Sequence, residues 1–119
     1  RVRLGIALVA RGKHRAAEKH FRRGLKIAPE DPEVWSGLAT ALRGRGKLAA
    51  AEEAHREALK HAPNHAPFHL NLADTLLRLN RAREAAREVD AARALDPRHP
   101  LLPNFVAAVK FALSIGGDR

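Results

Sequence analysis

The feature that most constrains this chain is a period of 34 residues. Leu4, Leu38, Leu72 and Val106 stand 34 apart, and so do Gly5, Ala39, Ala73 and Ala107. The same step joins Leu8, Leu42 and Leu76; Gly12, Gly46 and Asn80; Ala17, Ala51 and Ala85; Gly24, Ala58 and Ala92; and Pro29, Pro63 and Pro97. Seven columns of small, apolar or chain-breaking residues keep one register, which marks a repeat architecture.

Within one copy the spacing reads as two amphipathic helices. In the second copy Asp31 is an N-cap, Pro32 suits the first helical position, and Glu33 sits at the positive end of the helix dipole. Leu38, Ala39 and Leu42 form one apolar stripe. Gly44 and Gly46 supply the left-handed conformation that ends the helix. A second helix over about 48–61 turns Ala51, Ala54, Ala58 and Leu59 inward and Glu52, Glu53, Arg56, Glu57 and Lys60 outward, until Pro63 stops it. Alanine at 39 and 51 lets the two backbones lie close. The same reading predicts helices over about 1–11, 14–27, 67–79, 82–95 and, near Pro100 and Pro103, about 101–115.

A lone helix hairpin cannot bury its apolar face, so the expected fold is all-α, an α-solenoid of stacked antiparallel helix pairs with about seven helices. The expected organisation is a single domain over about 1–115. It has repeats at 1–31, 32–65 and 66–99, a last helix at 100–115 and a flexible tail at 116–119. Arg1 is expected to lie inside the first helix, and the start without methionine is what a domain excised from a longer protein would have.

Composition narrows the function classes. A chain of 119 residues that is 45% hydrophobic and 29% charged is a globular one, and with no cysteine it has neither disulfides nor thiolate chemistry. The longest apolar stretch, 105–115, is broken by Lys110 and is too short to span a bilayer. A cytoplasmic setting is favoured, although lack of cysteine fits oxidising and reducing compartments alike. The net charge of +9 is concentrated: residues 1–31 hold nine Lys or Arg against three carboxylates, which supplies +6 of it. Arg15, Lys19, Arg22, Arg23 and Lys26 make the second helix basic, so nucleic-acid binding is the rival function. Only 4% of residues are aromatic, which leaves few platforms for stacking bases.

Histidines His61, His65 and His69 are spaced by four, but Pro63 and Pro67 break the helix that would align them, and His55 is expected to pack in the core. No metal and no cofactor are expected. No serine or threonine stands beside a recognisable base and acid, and Asp74 and Glu33 lie in no catalytic motif. The chain reads as non-enzymatic, or as a docking or oligomerising part of a larger enzyme.

The repeat resembles the tetratricopeptide repeat, whose 34-residue copies place Trp, Leu-Gly, Tyr, Gly, Ala, Phe, Ala and Pro at set offsets. Copy two matches with Trp35, Leu38, Ala39, Gly46, Ala51, Ala58 and Pro63, and departs with Leu42 and His55 at the tyrosine and phenylalanine places. Copy one matches with Leu4, Gly5, Gly12, Ala17, Phe21 and Pro29. Copy three has His69, Asn80 and Val89 in place of tryptophan, glycine and phenylalanine, while Leu72, Ala73, Ala85, Ala92 and Pro97 hold. The last helix resembles the capping helix of such arrays.

The resemblance implies a right-handed superhelix whose first helices line a concave groove for a peptide or protein segment. Carried over position by position, the groove would be lined by Arg3, Ile6 and Ala10; by Glu33, Ser36, Gly37, Thr40 and Arg43; by Leu70, Asn71, Asp74, Leu77 and Arg78; and by Asn104, Phe105, Ala108 and Phe111. Asn71 is the foremost candidate for holding a peptide backbone. The family's clamp for a C-terminal carboxylate does not carry over: its places are held by Val2, Ile6, Gly37, Pro67 and Asn71, and four of these five lack the needed group. Phe105, Ala108, Phe111 and Ala112 form an apolar strip through which a homo-oligomer is expected as an option.

Overall fold

The computed structural model describes residues 2–116. Its elements are seven helices: α1 Val2–Ala10, α2 His14–Ile27, α3 Pro32–Gly44, α4 Leu48–His61, α5 Ala66–Arg78, α6 Ala82–Leu95 and α7 Leu102–Ser114. Among the described residues there is no strand. Arg1, expected in the first helix, and residues 117–119 of the expected tail lie outside the described residues. Gly116 is an exposed turn residue with φ of 74°.

One turn recurs three times and explains why the helices stop where they do. Gly12, Gly46 and Asn80 hold φ of 74°, 76° and 64°. In each case the next amide donates five residues back, Lys13 to Leu8 O, Lys47 to Leu42 O and Arg81 to Leu76 O, at 2.8–2.9 Å. This is the Schellman closure, which satisfies carbonyls that a helix end leaves without partners. Asparagine replaces glycine at 80 because it is the side chain that best tolerates the left-handed region.

Gly44 does something else. It is the last residue of α3, and a Cβ there would run into the His14 ring of α2. The expectation that Gly44 helps reverse the chain is therefore corrected: its missing side chain allows α2 to approach, while Gly46 makes the turn.

Contacts divide the chain after Pro63 into two compact units, α1 to α4 and α5 to α7. In the first, α1 packs on α2 and α3, α2 on α3, and α3 on α4. Its core joins Ala17 and Phe21 of α2, Leu38, Ala39, Ala41 and Leu42 of α3, and Ala51 and Ala54 of α4. Ala39 and Ala51 are both fully buried, as close-packed backbones require. The start of α3 is fixed by Asp31, whose Oδ1 accepts from the Glu33 amide at 3.0 Å, and by Trp35, whose indole donates to Pro29 O at 2.8 Å. Leu4, placed in the apolar stripe by its column, is 55% exposed. Its helix packs on α2 and α3, whereas α3 is held by α1, α2 and α4.

In the second unit α6 packs on α5 and α7, and α5 touches α7. Its buried apolar residues include Phe68, Leu72, Ala73 and Leu76 of α5, Ala85, Val89 and Ala92 of α6, and Leu102 and Val109 of α7. His69 Nδ1 and Glu88 Oε1 lie 2.8 Å apart and tie α5 to α6.

Candidate functional site: the pocket between α1 and α3

In the first unit an aromatic ring from one helix shows between two others. Phe21 leaves α2 and ends against α1 and α3 at two glycines: a Cβ at Gly5 or at Gly37 would lie 2.2 or 2.3 Å from the nearest ring atom, too close for either to carry a side chain. Both glycines are thus required by close approach, and they leave the ring as a floor. Above it lies a cavity of about 330 Å³, walled by Val2, Ile6, Val9 and Ala10 of α1 and by Glu33, Ser36, Gly37 and Thr40 of α3. Ile6 is 55% exposed and stands on the wall. Thr40 donates its hydroxyl to Ser36 O at 3.1 Å, so that donor is already used within α3. Glu33 is exposed in the first turn of α3, where the helix dipole favours a carboxylate. The chemistry is an apolar seat of side-chain size with one negative charge on its edge.

Six of the residues expected from the sequence converge here: Ile6, Ala10, Glu33, Ser36, Gly37 and Thr40. Arg3 is exposed on α1 and does not line the cavity. Arg43 is half-buried, and its charge acts on His55 of α4. Val2 as a wall residue, Val9 and Phe21 were missed. Phe21 had a signal, since a bulky aromatic facing glycines at 5 and 37 must emerge between them, but the glycines stand in different columns.

The second unit places its expected residues less uniformly. Asn71, Asp74 and Leu77 are half-buried, Arg78 is exposed, and Arg78 Nε lies 3.5 Å from Asp74 Oδ1. Leu70 is 2% exposed and is a core residue, which corrects its placement on a binding face. The reason is that α5 buries seven of its thirteen residues, so few positions remain for a surface. Asn104 and Ala108 are exposed, Phe105 is half-buried and Phe111 is 66% exposed.

Two charged or titratable groups in the first unit are structural. Glu18 is buried on α2 and accepts from Arg45 after α3 and from Arg22, and the Arg45 hydrogen bond leads in holding its carboxyl below the usual range. His55 is 1% exposed with neither ring nitrogen hydrogen-bonded, and burial first, then the Arg43 charge, pushes it down to about 3. It is a neutral ring at the place of an aromatic. Among the described residues no three His, Asp or Glu side chains gather to hold a metal, and no helix is long and apolar enough to cross a membrane.

Two sequence models described as tetratricopeptide repeat match the chain, over residues 2–67 and 42–109. No curated protein matches. Among solved structures, the first such domain of human RPAP3 is similar at 19% identity and a TM-score of 0.91, covering 96% of this chain and 90% of that one. The first repeat domain of Spaghetti (RPAP3), bound to the HSP90 peptide SRMEEVD, is 20% identical with a TM-score of 0.87, covering 94% and 91%. The Yersinia enterocolitica type III secretion chaperone SycD, in complex with a peptide of the translocator YopD, is 19% identical with a TM-score of 0.80, covering 96% and 87%. With seven helices, a 34-residue period and matches that each span more than half of the sequence, the chain belongs to the tetratricopeptide repeat family.

Proposed function

We propose that this protein is a non-enzymatic interaction module that binds a peptide or protein segment by seating one apolar side chain in the pocket between α1 and α3. The observation that carries the reading is the cavity over Phe21, since an apolar, side-chain-sized recess with a few polar groups at its edge is how a folded surface anchors a peptide. Spaghetti and SycD hold peptides in their complexes, which supports peptide binding as the use of this fold. Glu33 sets the second preference: a lysine, an arginine or a free amino group beside the apolar anchor. An acidic C-terminal tail such as SRMEEVD is not the expected ligand, because the carboxylate-clamp places hold Val2, Ile6, Gly37 and Pro67. Asn71, and separately Asn104, are candidate contacts to peptide backbone on the second unit.

Peptides selected from a random twelve-residue library on the immobilised protein test the reading. Titrated by calorimetry, the selected peptides are expected to carry an apolar residue next to a basic one and to bind Ile6→Glu at least tenfold more weakly. Binders that lack an apolar anchor, or that bind Ile6→Glu as tightly as the parent, overturn it.

One observation favours a second reading. Arg15, Lys19, Arg23 and Lys26 are exposed along α2, a spacing that suits phosphates. A filter-binding titration with single-stranded RNA at low salt decides: no retention removes nucleic acid, and retention lost in Arg15→Glu with Lys19→Glu establishes it.

A further inference from the structure

Helices α3 and α5 carry the same stripe, and each is covered by the helix that follows. Leu38, Ala39 and Leu42 lie on α3, which packs on α4; Leu72, Ala73 and Leu76 lie on α5, which packs on α6; all six are at most 2% exposed. Helix α7 keeps this register. Val34, Phe68 and Leu102 are buried at steps of 34, and so are Ala41, Thr75 and Val109. The stripe on α7 is therefore Val106, Ala107 and Lys110, yet Val106 is half-buried and the other two are exposed. No described helix covers it.

That face opens into a cleft of about 640 Å³ between the end of α6 and α7. Leu102, Pro103, Val106 and Ala107 give it apolar walls, and Arg93, Arg98 and Lys110 give it a cationic rim. Arg98 and Lys110 have no ion pair among the described residues, and Arg93 has only an exposed one with Asp90 at 3.0 Å.

We infer that this cleft docks an amphipathic helix of a partner protein, with small apolar residues along its seam and carboxylates on its flanks. A helix is the expected occupant because the same stripe takes one on α3 and on α5. The seam is small because the covering helices supply Ala51, Ala54 and Ala58 on α4 and Ala85 and Ala92 on α6, all at most 3% exposed. The flanks are acidic because Arg93, Arg98 and Lys110 make the rim cationic. A second copy of this chain is disfavoured by its charge of +9. Nucleic acid is disfavoured because the cleft is lined by no Phe, Tyr or Trp, and its His99 ring is half-buried, so a row of bases has no stacking platform there.

The test uses a fluorescein-labelled 20-residue peptide with an alanine–leucine seam flanked by glutamates, a scrambled peptide of the same composition, and an oligonucleotide of similar charge. The amphipathic peptide is expected to bind at least tenfold more tightly than the scrambled one, with amide shifts confined to residues 93–113. Arg98→Glu with Lys110→Glu, both on exposed positions, is expected to weaken it at least tenfold. An equal charge change on α2, Arg15→Glu with Lys19→Glu, and the pocket variant Ile6→Glu are expected to leave it within twofold. Equal binding of the scrambled peptide, equal weakening by the α2 variant, displacement by the oligonucleotide at the same residues, or a dimer in light scattering that Lys110→Glu dissociates each overturns the proposal.

Discussion

The two units fill the space beside their first helices with aromatic volume drawn from opposite sources. In the first unit α2 supplies Phe21, and α3 makes room with Gly37. At the corresponding places of the second unit α6 supplies Val89, 2% exposed, and α7 carries Phe105, half-buried. The aromatic has moved from the second helix of a pair to the first helix of the next. When it comes from below and meets glycine, the surface is a recess with an apolar floor. When it stands on the outer helix itself, the ring is part of the surface. One repeat scaffold thus makes different surfaces by trading volume between two positions, without any change of fold.

Breaking the trade in the first unit has the largest expected effect. Phe21→Ala removes a ring that is 1% exposed and leaves a void that glycine at 5 and 37 cannot fill, so urea denaturation is expected to show a loss of about 3–5 kcal/mol. Gly37→Phe alone forces the ring aside and also destabilises. Combined with Phe21→Val, which gives the first unit the arrangement of the second, it is expected to be less harmful than the sum of the two single changes by more than about 1 kcal/mol. Strict additivity would show that the two positions do not share volume.

The third member of the phenylalanine column sharpens the comparison next. His55 stands where Phe21 and Val89 stand, but its two ring nitrogens are buried without partners. His55→Phe is expected to stabilise by about 1–3 kcal/mol, because it removes the desolvation of both nitrogens. The native ring is neutral down to about pH 3 and titrates near 6.5 when unfolded, so the unfolded state binds the extra proton between those values. The stability that the neutral ring supports is full above about pH 6.5 and falls as pH drops towards 3. Melting temperatures across that range are expected to fall less steeply in His55→Phe; parallel profiles would contradict the assignment.

Smaller effects follow at two polar sites. Glu18→Gln is expected to weaken the first unit by about 1 kcal/mol at neutral pH, since the carboxylate joins α2 to Arg45. The lowered pKa of Glu18 means that its contribution is present above the ordinary carboxylate range and lost as pH falls through the folded value, so the difference from Gln should close in acid. Thr75, fully buried with its hydroxyl unbonded, occupies the place of Ala41 and Val109. Thr75→Val is expected to raise stability by less than about 1 kcal/mol.

The sequence showed the scaffold more fully than the surface, for a physical reason. Each column is a contact made in every copy: alanine where two backbones meet, leucine at the third position before the turn, glycine or asparagine where φ is positive. Those contacts repeat, so they appear as a period, and Leu42, Ala51 and Gly46 could be placed before any coordinates. Asp31 could be placed too, because capping depends on local chemistry alone. Gly44, Phe21 and Leu70 are different. The His14 ring that occupies the space beside Gly44 comes from another helix, and no repeat of that pair exists in the other copies. Phe21 reads as core from its column, and its role as a floor depends on Gly37, whose counterparts are Asn71 and Phe105. Leu70 was assigned outward by position counting, which cannot report how much of a helix its neighbours enclose.

In the proposed complex a peptide's apolar side chain rests on Phe21 between α1 and α3. The most direct measurement is a set of intermolecular nuclear Overhauser effects in the complex with a library-selected peptide, using labelled protein and unlabelled ligand. Contacts from the peptide's apolar side chain to the Phe21 ring and the Ile6 methyls are predicted. Contacts confined to the outer faces of α2 or α4, with none to Phe21, would contradict it.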